Sequence, residues 1–282
     1  AKLTKEDIVA FADKYLNEDN YAVVYKKQGK DPNEKKMTKP EITPIVSNRD
    51  VASPFLTSIQ ENAVKPIEPV FLDFKKDMSQ LTAKSDIPVL YKQNTTNDLF
   101  QLIYVFDMGN NNDKALGTAF DYLEYLGTSD MTPEELKSEF YRLACTFYVS
   151  PGNERTYVVL SGLNENMPAA MQLFEKLLAD AQVNKEAYNN LVGDILKARA
   201  DAKLNQGQNF SRLMNYAMYG PKSPATNLLT EAELASMNPQ ELVDQIHNQN
   251  NYKHRILYYG PSSSKDLLAT IDQYHQVPAT LK

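Results

Sequence analysis

The sequence predicts an α+β domain, a mainly antiparallel sheet with helices packed on one face, preceded by a helix-strand remnant of another domain. Three observations lead there. Strand-like runs fall in two groups separated by pairs of amphipathic helices, an order that stacks helices on one side of a sheet. A stretch without hydrophobic periodicity, carrying Pro32, Pro40, Pro44, Pro54, Pro66 and Pro69, divides a short opening unit from a long regular one. With 282 residues, 42% of them hydrophobic, the chain can also bury a sizeable core.

The elements follow in order. Thr4 with Asp7, then Ile8, Phe11, Ala12 and Tyr15 on one stripe, makes a short capped helix. Residues 21–26, Tyr-Ala-Val-Val-Tyr-Lys, read as a strand. One helix and one strand cannot close a core, so residues 1–28 read as the last helix and strand of a preceding domain, and 29–69 as an extended linker. Within 70–282, strands are expected at 70–74, 88–92 and 99–106, the last a nearly continuous apolar run of the kind buried on both faces. Helices at 114–126 and 133–143 come next; Thr132, Pro133 and Glu135 give the second a capping box. A hairpin of 144–150 with 155–161 turns at Pro151-Gly152-Asn153. Helices at 167–181, 185–204 and 208–218 follow, then one from Thr230 and one from Asn238-Pro239, a strand at 255–259 and a helix at 264–274.

Charge and composition exclude several functions. A net charge of -6 opposes non-specific nucleic-acid binding, which rests on clustered Lys and Arg. No apolar run is long enough to span a bilayer. No signal peptide precedes the first helix pattern, which suggests a piece of something longer. A single cysteine, Cys145, rules out an internal disulfide, and its apolar alternation with Phe147 and Val149 makes it a core thiol. None of the three histidines, His247, His254 and His275, is paired at i, i+4 with another, so all three read as surface or rim residues. Ser161-Gly162 lacks the form of a nucleophile elbow, and no glycine-rich phosphate loop occurs. The 17 tyrosines suit a peptide groove, with core packing as the default.

The segment Leu116-Gly117-Thr118-Ala119-Phe120-Asp121-Tyr122-Leu123-Glu124-Tyr125-Leu126-Gly127-Thr128 follows the strand that ends in Asp107-Met108-Gly109. It resembles the signature helix of the insulinase/pitrilysin-like (inverzincin) zinc metallopeptidase family, in which H-x-x-E-H precedes a Gly-Thr. Aligned on Gly127-Thr128, Thr118 and Tyr122 stand at the histidine positions and Asp121 at the glutamate position, so the motif is degenerate. The family's remaining ligand is a glutamate on a later helix; the matching stretch 185–204 has Glu186 near its start and only Asp194 and Asp201 deeper in.

The resemblance implies a metallopeptidase-like α/β roll over 70–282 that is non-catalytic, with no catalytic, cofactor-binding or metal residue of its own. Zinc is implied in the catalytic half of the parent protein, a bacterial zinc protease for which a periplasmic location is compatible. The implied partners are that half, within the same protein or as a homologous subunit, and an extended peptide substrate held in a shared chamber. A domain that only stabilises its partner half fits as well. Two other classes compete: a binding or assembly module that pairs with a separately encoded catalytic subunit, and, ranked last, an enzyme with an unfamiliar site. Limited proteolysis is expected to cut first between Gly29 and Pro69; cleavage that begins instead between Leu99 and Leu126 would overturn this boundary.

Overall fold

A computed structural model describes residues 3–16, 21–29, 35, 37–44 and 51–282. The chain divides between Glu68 and Pro69 into two units.

In the first unit, helix α1 (Lys5–Tyr15) starts in a capping box. The Asp7 amide donates to Thr4 Oγ1 at 3.2 Å, and the Thr4 amide donates back to Asp7 Oδ2 at 2.9 Å. These bonds hold the Asp7 carboxyl below its ordinary value. A second helix, α2 (Pro54–Gln60), lies inside the stretch read as an extended linker. Its start is the favourable pairing of a Ser53 N-cap with proline at the first helical position, a local signal outweighed in the sequence reading by the density of prolines around it. Residues 21–27, expected to include a strand, have neither helix nor ladder. A strand is stable only beside another, and no described residue of this unit supplies one.

The second unit is built on a six-stranded sheet of order β1-β2-β6-β3-β5-β4. Its strands are β1 (Ser79–Ala83), β2 (Ile87–Gln93), β3 (Leu99–Phe106), β4 (Cys145–Pro151), β5 (Thr156–Leu163) and β6 (His254–Gly260). All neighbours are antiparallel except β2 and β6, which pair in parallel from Val89 with Ile256 to Gln93 with Gly260. The expected strand at 70–74 does not form; Val70, Phe71 and Leu72 are exposed. Apolar, β-prone composition alone does not make a strand where no edge receives it. The edge is taken instead by β1, paired with β2 across a tight turn in which Ser85 and Asp86 both have positive φ.

Although β2 and β3 are consecutive, β6 lies between them. The connection over its end is held by Asn94, whose amide donates to the Gly260 carbonyl at 2.8 Å and whose side-chain Nδ2 donates to the Leu99 carbonyl at 3.2 Å.

Alternation along β3 sends Phe100, Leu102, Tyr104 and Phe106 to one face, where all are buried. Helices cover that face: α3 (Leu116–Leu123), α5 (Met167–Asp180), α9 (Pro239–His247) and α10 (Ser264–Tyr274) bring in Ala119, Phe120, Met171, Phe174, Ile246 and Ile271. The opposite face is more open; Gln101 is exposed and Ile103 half-buried, so β3 is not covered on both sides along its whole length. Helix α4 (Pro133–Arg142) packs behind β4. The remaining helices are α6 (Lys185–Lys203), α7 (Gln206–Tyr219) and α8 (Glu231–Ser236). The capping boxes at Thr132 and Thr230 both form, each with its glutamate three residues on.

Two glycines separate backbone need from tolerance. Gly162, in β5, has φ +151°, and a Cβ there would collide with the Ala144 carbonyl and lie 2.7 Å from Cys145 Cα. Gly193, in α6, has open space where a Cβ would go. Gly162→Ala should therefore cost about 2–4 kcal/mol in chemical denaturation, whereas Gly193→Ala should gain roughly 0.5–1 kcal/mol. Equal effects at the two sites would contradict the packing described.

Candidate functional site

Helix α3 is positioned by the loop that precedes it. Gly109 approaches the β4–β5 turn so closely that a Cβ would lie 2.6 Å from the carbonyl oxygens of Gly152 and Asn153. Next to it, the Asn110 amide donates to the Gly152 carbonyl at 2.9 Å, and Asn110 Oδ1 accepts from the Gly117 amide at 2.9 Å. The helix thus starts from a fixed point at one end of the sheet. It ends at Leu123, and four residues on, at Gly127, a Cβ would run into the Met131 carbonyl and Pro133. The Thr128 amide donates to the Met131 carbonyl at 2.8 Å, and the Gln182 amide donates to the Gly127 carbonyl at 2.9 Å. The Gly-Thr pair on which the motif was aligned is therefore a close backbone crossing.

The three motif positions meet different surroundings. Thr118 is half-buried, Asp121 exposed and Tyr122 fully buried. The Tyr122 hydroxyl grips one residue from both sides: it donates to the Asn184 carbonyl at 2.6 Å and accepts from the Asn184 amide at 2.8 Å. Its ring meets Tyr188 edge to face, with centroids 5.8 Å apart. Burial raises the Tyr122 phenol above its ordinary value, so it stays protonated. Asp121 is exposed by surface area, yet protein crowds its carboxyl; burial first, and the Glu124 charge second, raise it.

Helix α6 does come beside α3, as expected for a later helix closing a site. The contact is made by Asn184 and Tyr188, while Glu186, Asp194 and Asp201 are all exposed. These residues do not fit a zinc ion. A ligand set needs imidazole nitrogens or thiolates with a deprotonated oxygen in tetrahedral reach, and here one position is a hydroxyl, one an exposed carboxyl and one a phenol already committed to backbone. Among the described residues, no three of His, Cys, Asp and Glu are grouped so as to hold a metal ion.

Beside α3 lies a cleft of about 690 Å³, walled by Leu126, Leu136, Phe140, Tyr141 and Phe147, with Glu124 and Lys137 also in its lining. It is floored by β4, the outermost strand, which has no strand on its far side among the described residues. Cys145 borders the cleft, and burial raises its thiol above the ordinary value, which keeps it from acting as a thiolate. An unpaired strand edge beside an apolar cleft offers backbone hydrogen bonds and a side-chain pocket together, the chemistry that receives an extended peptide.

Two of the three histidines depart from the sequence reading. His254 and His275 are buried and in contact with each other, and His275 with Glu175; His247 is exposed, as expected, with its ring 3.2 Å from the Ala181 carbonyl. No local spacing signals this, because the partners come from three separate elements.

No family model and no curated protein matches the sequence. Solved structures do match. The periplasmic protease PqqL from Escherichia coli is similar with a TM-score of 0.62 at 14% identity, over 99% of this chain and 29% of that one. A peptidase M16 inactive domain from Pseudomonas fluorescens gives 0.61 at 15%, over 73% and 53%. The ferredoxin protease FusC, solved in complex with Arabidopsis ferredoxin, gives 0.60 at 14%, over 100% and 30%. The chain thus spans about half of the Pseudomonas chain and less than a third of the two proteases, and what it shares with them is the fold.

Removing the Tyr122 hydroxyl should leave both peptide groups of Asn184 without their partner. Tyr122→Phe is expected to cost about 1–3 kcal/mol in urea or thermal unfolding. A cost below about 0.5 kcal/mol would mean that the hydroxyl is not the tie between α3 and α6.

Proposed function

We propose that this chain is a non-catalytic domain of an insulinase/pitrilysin-like zinc metallopeptidase. In this reading it completes the wall of a substrate chamber and holds extended peptide for a zinc-bearing half located elsewhere, in the same protein or in a homologous subunit. Residues 70–282 are the inactive peptidase-like domain, 29–69 the connection and 1–28 the end of a preceding domain. The chain itself uses no metal or cofactor, and zinc belongs to the partner half.

The observation that carries the reading is the committed state of Tyr122. At a position where the family places a metal-binding imidazole, the side chain is core, and its polar atom joins two helices. The shared fold with an inactive peptidase domain supports the same conclusion. Peptide holding is supported by the open edge of β4 and the apolar cleft beside it. A partner is supported by α7, on which Phe210, Leu213, Met214 and Met218 form an exposed apolar stripe of the sort another polypeptide covers.

Two measurements test this. Elemental analysis after dialysis is expected to find far less than one zinc per chain, and the purified chain should cleave no extended peptide; about one zinc per chain, lost in Asp121→Asn, would overturn the reading. Unstructured peptides should perturb the amide resonances of Phe147 and Val149, which face the open edge of β4 because Ala144 and Gly152 in the alternate register bond to β5, and the effect should vanish when the peptide backbone is N-methylated. Perturbation that survives N-methylation, or that falls elsewhere on the domain, would remove the peptide-holding role.

A further inference from the structure

The second unit buries a linear chain of acid-base groups away from the candidate site. Glu175 comes from α5, His254 from the start of β6 and His275 from the residue after α10. His254 Nδ1 lies 2.7 Å from the Tyr252 carbonyl, His254 Nε2 lies 2.8 Å from His275 Nε2, and His275 Nδ1 lies 2.6 Å from Glu175 Oε1. The other carboxylate oxygen, Oε2, accepts from Asn250 Nδ2 at 2.8 Å and from the Gln276 amide at 3.2 Å.

These distances fix the protons. A carbonyl only accepts, so His254 carries its proton on Nδ1 and presents a bare Nε2. His275 must then donate from Nε2, and one further proton occupies the short contact between His275 Nδ1 and Glu175 Oε1. Whether that proton sits on nitrogen or oxygen, the chain of three groups is neutral overall and each facing acceptor atom has one donor. A fourth proton finds no acceptor that is free. On His254 it would set two N–H groups against each other across 2.8 Å. On Glu175 it would displace His275, Asn250 or Gln276.

Each of those donors anchors the end of the chain. His275 and Gln276 begin residues 275–282, which return to the segment just before β6: the Lys282 amide donates to the Asn251 carbonyl at 2.8 Å and the Lys253 amide to the Lys282 carbonyl at 3.0 Å. Ser85 Oγ donates to the Pro278 carbonyl at 2.9 Å, tying the same segment to the β1–β2 turn. A cleft of about 260 Å³ lined by Glu175, His247, Asn250, Gln276 and Pro278 gives water a path to the carboxyl.

We propose that the Glu175–His275–His254 chain is an acid-sensitive clamp, which holds residues 275–282 on the domain at neutral pH and lets them go when a fourth proton enters. The ionisable groups facing it are Tyr104 from β3 and the three members themselves, with His247 from α9 at the rim of the cleft. The Tyr104 ring packs on His275 at 4.7 Å, its buried hydroxyl has no hydrogen-bond partner among the described residues, and burial holds that phenol well above its ordinary value. It therefore stays neutral through the acid range. Burial first, and the neighbouring His275 second, lower the His254 imidazole from its ordinary 6.5 to about 4. The sign follows: the closed chain is fully favoured above the free-histidine value and is lost as pH falls toward about 4.

Hydrogen exchange of the full chain, read amide by amide at about pH 7 and about pH 4 and corrected for intrinsic rates, tests the clamp. The amides of Gln276, Lys282 and Lys253 should lose protection by about tenfold or more at the lower pH while those of β3 keep theirs. Unchanged protection of the three, or their loss only together with β3, would overturn the proposal. In Glu175→Gln the same amides should already exchange rapidly at neutral pH, and protection equal to the wild type there would also overturn it. Should that variant fail to fold, the wild-type comparison decides alone.

Discussion

One-sided burial of β3 is the constraint that the larger unit is arranged around. Phe100, Leu102, Tyr104 and Phe106 all leave water on the same face, and burying each large side chain is worth about 1.5–3 kcal/mol. Helices α3, α5, α9 and α10 must then lie on that face and bring apolar stripes of matching width. Their polar ends are placed by the same requirement. Because α5 lies against the sheet, Glu175 is carried into the interior; because α10 ends there, His275 meets it. A buried carboxylate without partners would be costly, and the imidazole, Asn250 and the Gln276 amide meet that need.

A helix after a buried strand, started from a pinned loop and followed by a glycine crossing, is a precise way to hold side chains at i and i+4. The geometry is indifferent to their chemistry. With imidazoles it would present ligands; with Thr118 and Tyr122 it presents a half-buried hydroxyl and a structural tie to Asn184. The cleft beside β4 does not depend on that exchange, since its walls are apolar residues of α3, α4 and β4. The frame of a fold and the chemistry of the side chains it displays are in this way separable.

Sequence periodicity located most of this architecture. The helices with caps, such as those beginning after Thr132, Thr230 and Asn238, were legible because capping is a local hydrogen-bonding code. Strand β1 was not legible: Ser79-Gln80-Leu81-Thr82-Ala83 is short, polar and at an edge, where burial imposes little alternation. The apolar run at 70–74 misled for the opposite reason, being strand-like in composition with no edge to join. At the site, the aligned residues Thr118, Asp121 and Tyr122 could be named from sequence, whereas the grip of Tyr122 on Asn184 could not, since the two are 62 residues apart. The buried histidine chain was invisible for the same reason, its links spanning 21 and 100 residues.

The position of β6 has a consequence for the order in which the molecule can be made. The β1–β2 hairpin and the β3–β4–β5 group are synthesised early, yet in the finished sheet they are joined only through β6. Until His254–Gly260 has left the ribosome, β2 and β3 each keep a bare, apolar flank, and unpaired flanks of this kind recruit other chains. The nascent protein therefore carries two half-sheets with open sides from the completion of β5 until β6 emerges, and a premature stop anywhere before residue 254 leaves a product that cannot be sealed. Chaperone demand should fall on that interval of translation, ending when the keystone strand arrives.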